Sequence, residues 1–273
     1  MLHIAQRQAA CLGRRNIDSL NRRVRPALDR NTLKEAGFPA PEAQHGYPAQ
    51  PARAQNTRNG YPAQPAPAQE ASPARRSQPA PPPAPIPMPR LTNPLPRGQK
   101  TFVTSRGDGL RLRVGFGWNV TDGRCDADAS AFLLGADGRV PDDSWFVFYS
   151  QPDSPDGSVH FRAAGGGDRE TIDIDLSRLS PQITKIVFVL TINEALEQGL
   201  HFGMVKDAYL RLMDASGGRE IMSYKLDDSR SEVTSLTLAE LYLHKDQWKF
   251  NPVGNGMRVD LAGQCAIYGV EIE

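Results

Sequence analysis

The chain has 273 residues, 39% of them hydrophobic and 23% charged, with a formal net charge of +1. That small sum hides two halves of opposite sign: residues 1–100 carry 15 Lys/Arg against 5 Asp/Glu, and residues 101–273 carry 17 against 26, the pattern of a basic tail on an acidic domain. Three cysteines (Cys11, Cys125, Cys265) without CxxC or Cys/His spacing argue against a disulfide framework or a zinc site, and no run of 18 apolar residues exists to span a membrane.

Along residues 1–37, Leu2, Ile4, Leu12, Ile17, Leu20, Val24 and Leu28 recur irregularly among arginines. A basic, weakly helical tail is the expectation there, and no continuous apolar core marks a secretory signal. From about residue 39 to 96 the chain is a Pro/Ala/Gln tract, in which Gly46-Tyr47-Pro48-Ala49-Gln50-Pro51-Ala52 recurs as Gly60-Tyr61-Pro62-Ala63-Gln64-Pro65-Ala66. Proline removes donors and fixes φ, and too little apolar surface is present to offset the entropy of ordering. Residues 1–90 are therefore predicted to be a disordered, partly polyproline-II tail.

Residues 91–273 are long enough for one domain, and their dominant period is two. Leu110, Leu112, Val114, Phe116 and Trp118 alternate with Arg111, Arg113, Gly115 and Gly117, which predicts a half-buried strand. Further strands are predicted at 131–134, 145–149, 172–176, 185–192, 208–213, 220–226, 234–243 and 248–250. Turn chemistry separates them, as at Ala136-Asp137-Gly138, Pro155-Asp156-Gly157 and Ser216-Gly217-Gly218. Short helices fit 193–198 and 259–268, the second stopped by Gly269. The fold class is mainly β, an antiparallel β-sandwich with one or two short helices.

Three acidic segments stand beside these strands: Asp126-Ala127-Asp128, Ser154-Pro155-Asp156-Gly157-Ser158 and Gly167-Asp168-Arg169-Glu170. Oxygen-only donor sets suit Ca²⁺, which takes six to eight oxygens in forgiving geometry. Asp126, Asp128 and Ser130 would project to one face of a strand, and two carboxylates that close repel unless a cation or donor intervenes. An EF-hand fails the count, because position six from Asp126 is Ala131 and position twelve is Asp137. By itself Pro155-Asp156-Gly157 reads as a turn. His160, His201 and His244 form no HExxH, no Gly-x-Ser-x-Gly elbow occurs, and no cysteine adjoins a histidine, so a non-enzymatic role is expected. The acidity of the globular half disfavours specific nucleic-acid binding. Chemistry at Cys125 is opposed by Asp126 beside it, which should raise the thiol pKa.

Taken together, Arg113-Val-Gly-Phe-Gly-Trp118-Asn119, Asp126-Ala-Asp-Ala-Ser-Ala-Phe-Leu-Leu134, Phe146-Val-Phe-Tyr149, Ser154-Pro-Asp-Gly-Ser158, Lys185-Ile-Val-Phe-Val-Leu-Thr-Ile192 and Leu238-Ala-Glu-Leu-Tyr242 with Trp248-Lys-Phe250 resemble the tellurium-resistance TerD family over residues 91–273. The resemblance implies a β-sandwich that binds Ca²⁺ through acidic loops in a tellurite-resistance or general stress-response system. It further implies a cytoplasmic protein acting with other stress-resistance proteins, in a complex peripheral at the inner face of the membrane. Carried over by position, the metal ligands would be Asp126, Asp128, Asp156, Asp168, Glu170, Asn119 and Ser150. This sequence departs from the family pattern at several of them. Asn119 stands for an aspartate, Tyr149-Ser150-Gln151 for Tyr-Asn-Asn, and Arg169 for the middle acid of an Asp-Asp-Glu run. Exchanging a carboxylate for a guanidinium changes the local charge by two, so one weakened site is expected rather than two tight ones. The alternative reading is an interaction adaptor with a degenerate metal site, recruiting partners through its proline-rich basic tail.

Overall fold

The structure, a computed structural model, describes residues 84–165, 167–226 and 230–272. The tail expected over 1–90 lies, up to residue 83, outside them. The described chain forms eleven strands: β1 (Thr101–Ser105), β2 (Arg111–Val120), β3 (Ala127–Leu134), β4 (Phe146–Val147), β5 (Val159–Gly165), β6 (Asp168–Asp175), β7 (Lys185–Ile192), β8 (Val205–Asp214), β9 (Glu220–Lys225), β10 (Ser235–His244) and β11 (Gln247–Met257). Two short helices, α1 (Ala195–Gln198) and α2 (Leu261–Tyr268), complete it. One sheet has the order β1-β11-β10-β7-β3-β4 and the other β5-β6-β2-β8-β9. Every pairing of these strands is antiparallel. The antiparallel two-sheet architecture is the expected one.

The alternation of β2 explains how the sheets meet. Leu112, Val114 and Phe116 are fully buried, and the Phe116 ring lies 6.0 Å from that of Phe188 on β7 across the interior. Ala131 pairs with Phe188, so by period two Ala127, Ala129, Ala131 and Leu133 share that inner side. Their small side chains stand beside the large Ile192, Leu190 and Phe188 of β7, which leaves room on that side for the facing sheet. The other side of β3 is covered in part by α2, where Phe132 meets Tyr268 at 4.6 Å and stacks on Phe146 at 4.3 Å. That cover is why β3 is buried almost throughout, unlike a one-faced strand. The helix itself begins at Asp260, whose side chain accepts from Gly263 N–H, and ends at Gly269 with φ 83°, a left-handed conformation that glycine adopts without penalty.

Several expectations are corrected. The segment 145–149 is not one strand: a 3₁₀ turn over Asp143–Trp145 precedes the two-residue β4. β3 begins four residues earlier than the apolar run at 131–134, because alanines do not advertise burial as leucines do. β1 and β5 were not anticipated. β1 is an edge strand with Phe102 51% exposed, and β5 shows only Val159 and Phe161 as inward alternation. Gly115 and Gly117, expected on the solvent side of β2, are buried, for the reason given next.

Candidate functional site

On the outer face of the five-stranded sheet, Asp168 lies over Gly115. A Cβ at Gly115 would stand 2.3 Å from Asp168 Oδ2, and one at Gly117 would stand 2.2 Å from the Tyr209 ring. The glycines thus make room for a buried polar cluster. Asp168 is 4% exposed. It accepts from Arg211 Nε at 2.9 Å and Nη2 at 2.9 Å, and from the Tyr209 hydroxyl at 2.9 Å. Burial, then the adjacent Asp168 charge, pushes the Tyr209 phenol up. Asp168 is engaged by the Arg211 guanidinium and the Tyr209 hydroxyl, so its oxygens are directed at these donors rather than towards the acidic cleft.

Asp156 is likewise committed. It accepts from Ser154 Oγ (2.7 Å), Ser158 N–H (2.9 Å) and Ser158 Oγ (2.7 Å), and its second oxygen from Ser180 N–H (2.8 Å). Burial alone would raise its carboxyl, but the bonds from Ser158, Ser154 and Ser180 outweigh that and hold it low. It ties the turn before β5 to the loop after β6, at the end of β6 remote from Glu170. Asn119 is bonded to the backbone of Ile86, and Ser150 sits in the exposed turn after β4. The convergence of all three acidic segments on one point is therefore not what the fold builds.

What it does bring together is Asp126, Asp128 and Glu170. β4 pairs only with Ala131 and Phe132, so among the described residues no strand lies beside 127–130 on the edge of β3 away from β7. Glu170, from the opposite sheet, fills the gap: its Oε2 accepts from Ala129 N–H at 2.6 Å. The three carboxylates, with Trp118, Cys125 and Arg169, line a cleft of about 220 Å³. Burial, and then the Asp126 charge, pushes Asp128 up to about 7. Burial, and then Asp128, pushes Glu170 up to about 8, opposed by the Ala129 N–H and more weakly by Arg169. Asp126, at the exposed rim, is raised by partial burial. Nearby, burial followed by Asp122 and Asp126 pushes the Cys125 thiol up to about 12, which leaves almost no thiolate at neutral pH.

The cleft suits a hard cation in donor chemistry but is not a finished cage. Among the described residues no three His, Cys, Asp or Glu side chains converge closely enough to hold a metal ion. On the Asp128 side of β3, Ser130 Oγ is buried without a hydrogen-bond partner among the described residues. Near pH ~4, where the Glu170 carboxyl keeps its proton in the folded state and largely in the unfolded one, Glu170→Gln should be nearly neutral for stability, because the amide oxygen still accepts from Ala129, whereas Glu170→Ala should cost about 1–2 kcal/mol by orphaning that donor. Urea unfolding of both variants measures the difference, and equal losses would refute the edge-capping role.

Two aspects of this site were open to sequence reasoning and one was not. Asp126, Asp128 and Glu170 were named from their segments. Arg169 was noted only as a departure, although its neighbour Glu170 places it in the cleft wall. The Asp168–Arg211–Tyr209 cluster was missed, and the unexplained Gly115 and Gly117 on an otherwise regular strand were its one trace.

Residues 91–268 match the TerD domain. The chain is 41% identical to Tellurium resistance protein TerD of Serratia marcescens over 58% of its own length and 86% of that protein's. It is 35% identical to General stress protein 16U of Bacillus subtilis over 67% of its length and all of the relative's. A crystal structure of a TerD homologue from Streptomyces coelicolor aligns with a TM-score of 0.45 at 23% identity, covering 56% of this chain and 94% of that one. Among the described residues no helix is long and apolar enough to cross a membrane.

Proposed function

This chain belongs to the TerD family of tellurium-resistance and general stress proteins, and on that premise we propose that it is a non-enzymatic, Ca²⁺-binding β-sandwich acting through protein assembly. The observation that carries the cation reading is the group of carboxylates at the open edge of β3, two of them held far above the usual carboxylate range by burial and mutual repulsion. A dication entering that cleft would relieve the repulsion, with Asp128 and Glu170 as protein ligands, Asp126 at the rim and water filling the remaining positions. Binding would stabilise the folded state in proportion to the logarithm of free ion over Kd. The ordered edge would then offer a surface to other stress-resistance proteins, in the cytoplasm or at the inner face of the membrane. A role through binding rather than chemistry is supported by Cys125, whose raised pKa makes it a poor nucleophile.

Calorimetric titration of Ca²⁺ into the full chain should give saturable heat with a Kd of ~10⁻⁵ M or weaker, absent in Asp126→Asn/Asp128→Asn. No heat with millimolar Ca²⁺, together with an unchanged melting temperature, would remove the cation reading. The adaptor reading is favoured by Arg169, a fixed cation already in the cleft wall. Partner capture that depends on residues 1–90 and ignores Ca²⁺ would select it.

A further inference from the structure

The stretch preceding the matched domain is docked on it. Ile86 N–H donates to Asn119 Oδ1 at 2.9 Å, and Asn119 Nδ2 donates back to the Ile86 carbonyl at 3.1 Å. Further along, the N–H groups of Thr92 and Asn93 both reach Glu220 Oε1 at 2.9 Å. Leu95 N–H bonds the Ser223 carbonyl at 2.8 Å, and Ser223 N–H bonds the Asn93 carbonyl at 2.9 Å, forming a parallel bridge beside β9. Ahead of these anchors, residues 86–88 lie against Gly117, Trp118, Asn119, Arg169, Asp207 and Tyr209, leaving a gap of only about 10 Å³. An amide at position 119 can give and accept a hydrogen bond with one residue's backbone. A carboxylate there would set its charge against the Ile86 carbonyl.

Arg169 belongs to both neighbourhoods: it walls this groove and the acidic cleft, next in sequence to Glu170. Its guanidinium is nevertheless turned to uncharged acceptors. Nε donates to the Trp118 carbonyl, Nη2 approaches Asn119 Oδ1 at 3.5 Å, and Cζ lies 5.8 Å from the centre of the Trp118 ring. It makes no ion pair among the described residues. An arginine adjoining three carboxylates would fold onto them if it were free, because an opposite charge at close range favours their ionised form. Asn119 Oδ1, oriented by Ile86, is part of what holds it away.

We infer that residues 86–88 are a strap whose docking on Asn119 sets the position of Arg169, and through it the cation affinity of the acidic cleft; the second half of this rests on the Ca²⁺ reading above. With the strap docked, Arg169 stays on Trp118 and Asn119, and Asp128 and Glu170 are open to an ion. With the strap released, Asn119 keeps only the longer bond from Nδ2 to Asp207 Oδ2 at 3.4 Å, its Oδ1 loses the Ile86 N–H that orients it, and Arg169 turns to the carboxylates as an internal counter-ion that competes with the dication. Coupling is reciprocal, so an ion in the cleft, by repelling Arg169, tightens the strap. The strap precedes residues 91–268, the part of the chain that matches the TerD domain.

The test uses the full chain and two readouts, amide hydrogen exchange at Ile86 without added ion and Ca²⁺ titration. Asn119→Ala should speed Ile86 exchange about tenfold and weaken Ca²⁺ binding about fivefold, and adding Arg169→Gln should restore the affinity without restoring the strap. In the absence of ion, Asp128→Asn should slow Ile86 exchange about two- to threefold by removing the pull on Arg169. Release of the strap by Asn119→Ala with no change in Ca²⁺ affinity overturns the control of the cleft. Ile86 exchange indifferent to Asp128→Asn overturns the link through Arg169. A wild-type chain that takes no Ca²⁺ removes the cation reading and the control of affinity with it, while the link between Arg169 and the strap stands or falls on the exchange measurement alone.

Discussion

Asp168→Ala is expected to destabilise the folded chain by about 3–5 kcal/mol, the usual consequence of removing one member of a buried ion pair. The Arg211 guanidinium and the Tyr209 hydroxyl would lose their shared acceptor in a site where Asp168 is 4% exposed. For a domain of this size the loss corresponds to a melting temperature lower by roughly 8–15 °C. Asp168→Asn should lose less, because an amide oxygen at the Oδ1 position still accepts from the Tyr209 hydroxyl and Arg211 Nε, and only the Nη2 bond is lost. The decisive comparison is with and without Ca²⁺. A structural anion predisposes the variant to the same loss in both conditions, whereas a metal ligand would show its deficit mainly in saturating ion. Thermal melts of wild type and both variants, with ion binding measured alongside, separate the roles; a deficit confined to the Ca²⁺ condition would return Asp168 to the metal site.

Stability without divalent ion should fall as pH rises from about 4 to about 8, by on the order of 2–4 kcal/mol, because the folded state binds more protons than the unfolded one across that window. The sign follows from Asp128 and Glu170. Their folded pKa values, about 7 and about 8, lie above those of free carboxylates. Between the two sets of values the unfolded chain has already ionised and the folded one has not, so each increment of pH favours unfolding. Asp156 and Asp173 work in the opposite sense. Both are held low in the folded state, Asp173 because bonds from Arg113 and Arg162 outweigh burial. Their contribution is present above the free-carboxylate range and is lost as pH falls through it. The stability maximum is thus expected on the acidic side of neutrality. Millimolar Ca²⁺ should flatten the neutral limb, and Asp128→Asn/Glu170→Gln should remove it. Urea midpoints at half-unit steps of pH measure this, and a limb unchanged in the double variant would show that other groups produce it.

Both results turn on features that differ in how far they could be read in advance. The strands with bulky alternation, such as Leu112-Val114-Phe116 on β2 and the apolar run of β7, announce themselves because a half-buried surface demands that period. β1 and the first half of β3 do not, since an edge strand buries little and alanine carries no strong preference. Asp126 and Asp128 could be nominated as a pair from their spacing alone. That Glu170 joins them while Asp156 and Asp168 do not depends on which donors lie within reach of each carboxylate. Many of those donors come from distant segments: Ser180 for Asp156, beside the local Ser154 and Ser158, Arg211 and Tyr209 for Asp168, and Ala129 for Glu170.

The order of residues along the chain was enough to establish an acidic, mainly β domain behind a basic proline-rich segment, and a family resemblance carried by runs of neighbouring residues. Those are properties of composition, period and local motif, all of which are written in short stretches. Only the tertiary structure decided the allocation of the acids, the purpose of Gly115 and Gly117, and the seating of Ile86 on Asn119. Each of these depends on partners far apart in sequence, 33 positions for Ile86 and Asn119 and 41 for both Ala129–Glu170 and Asp168–Tyr209, and spacing along the chain does not reveal which donors will reach a carboxylate.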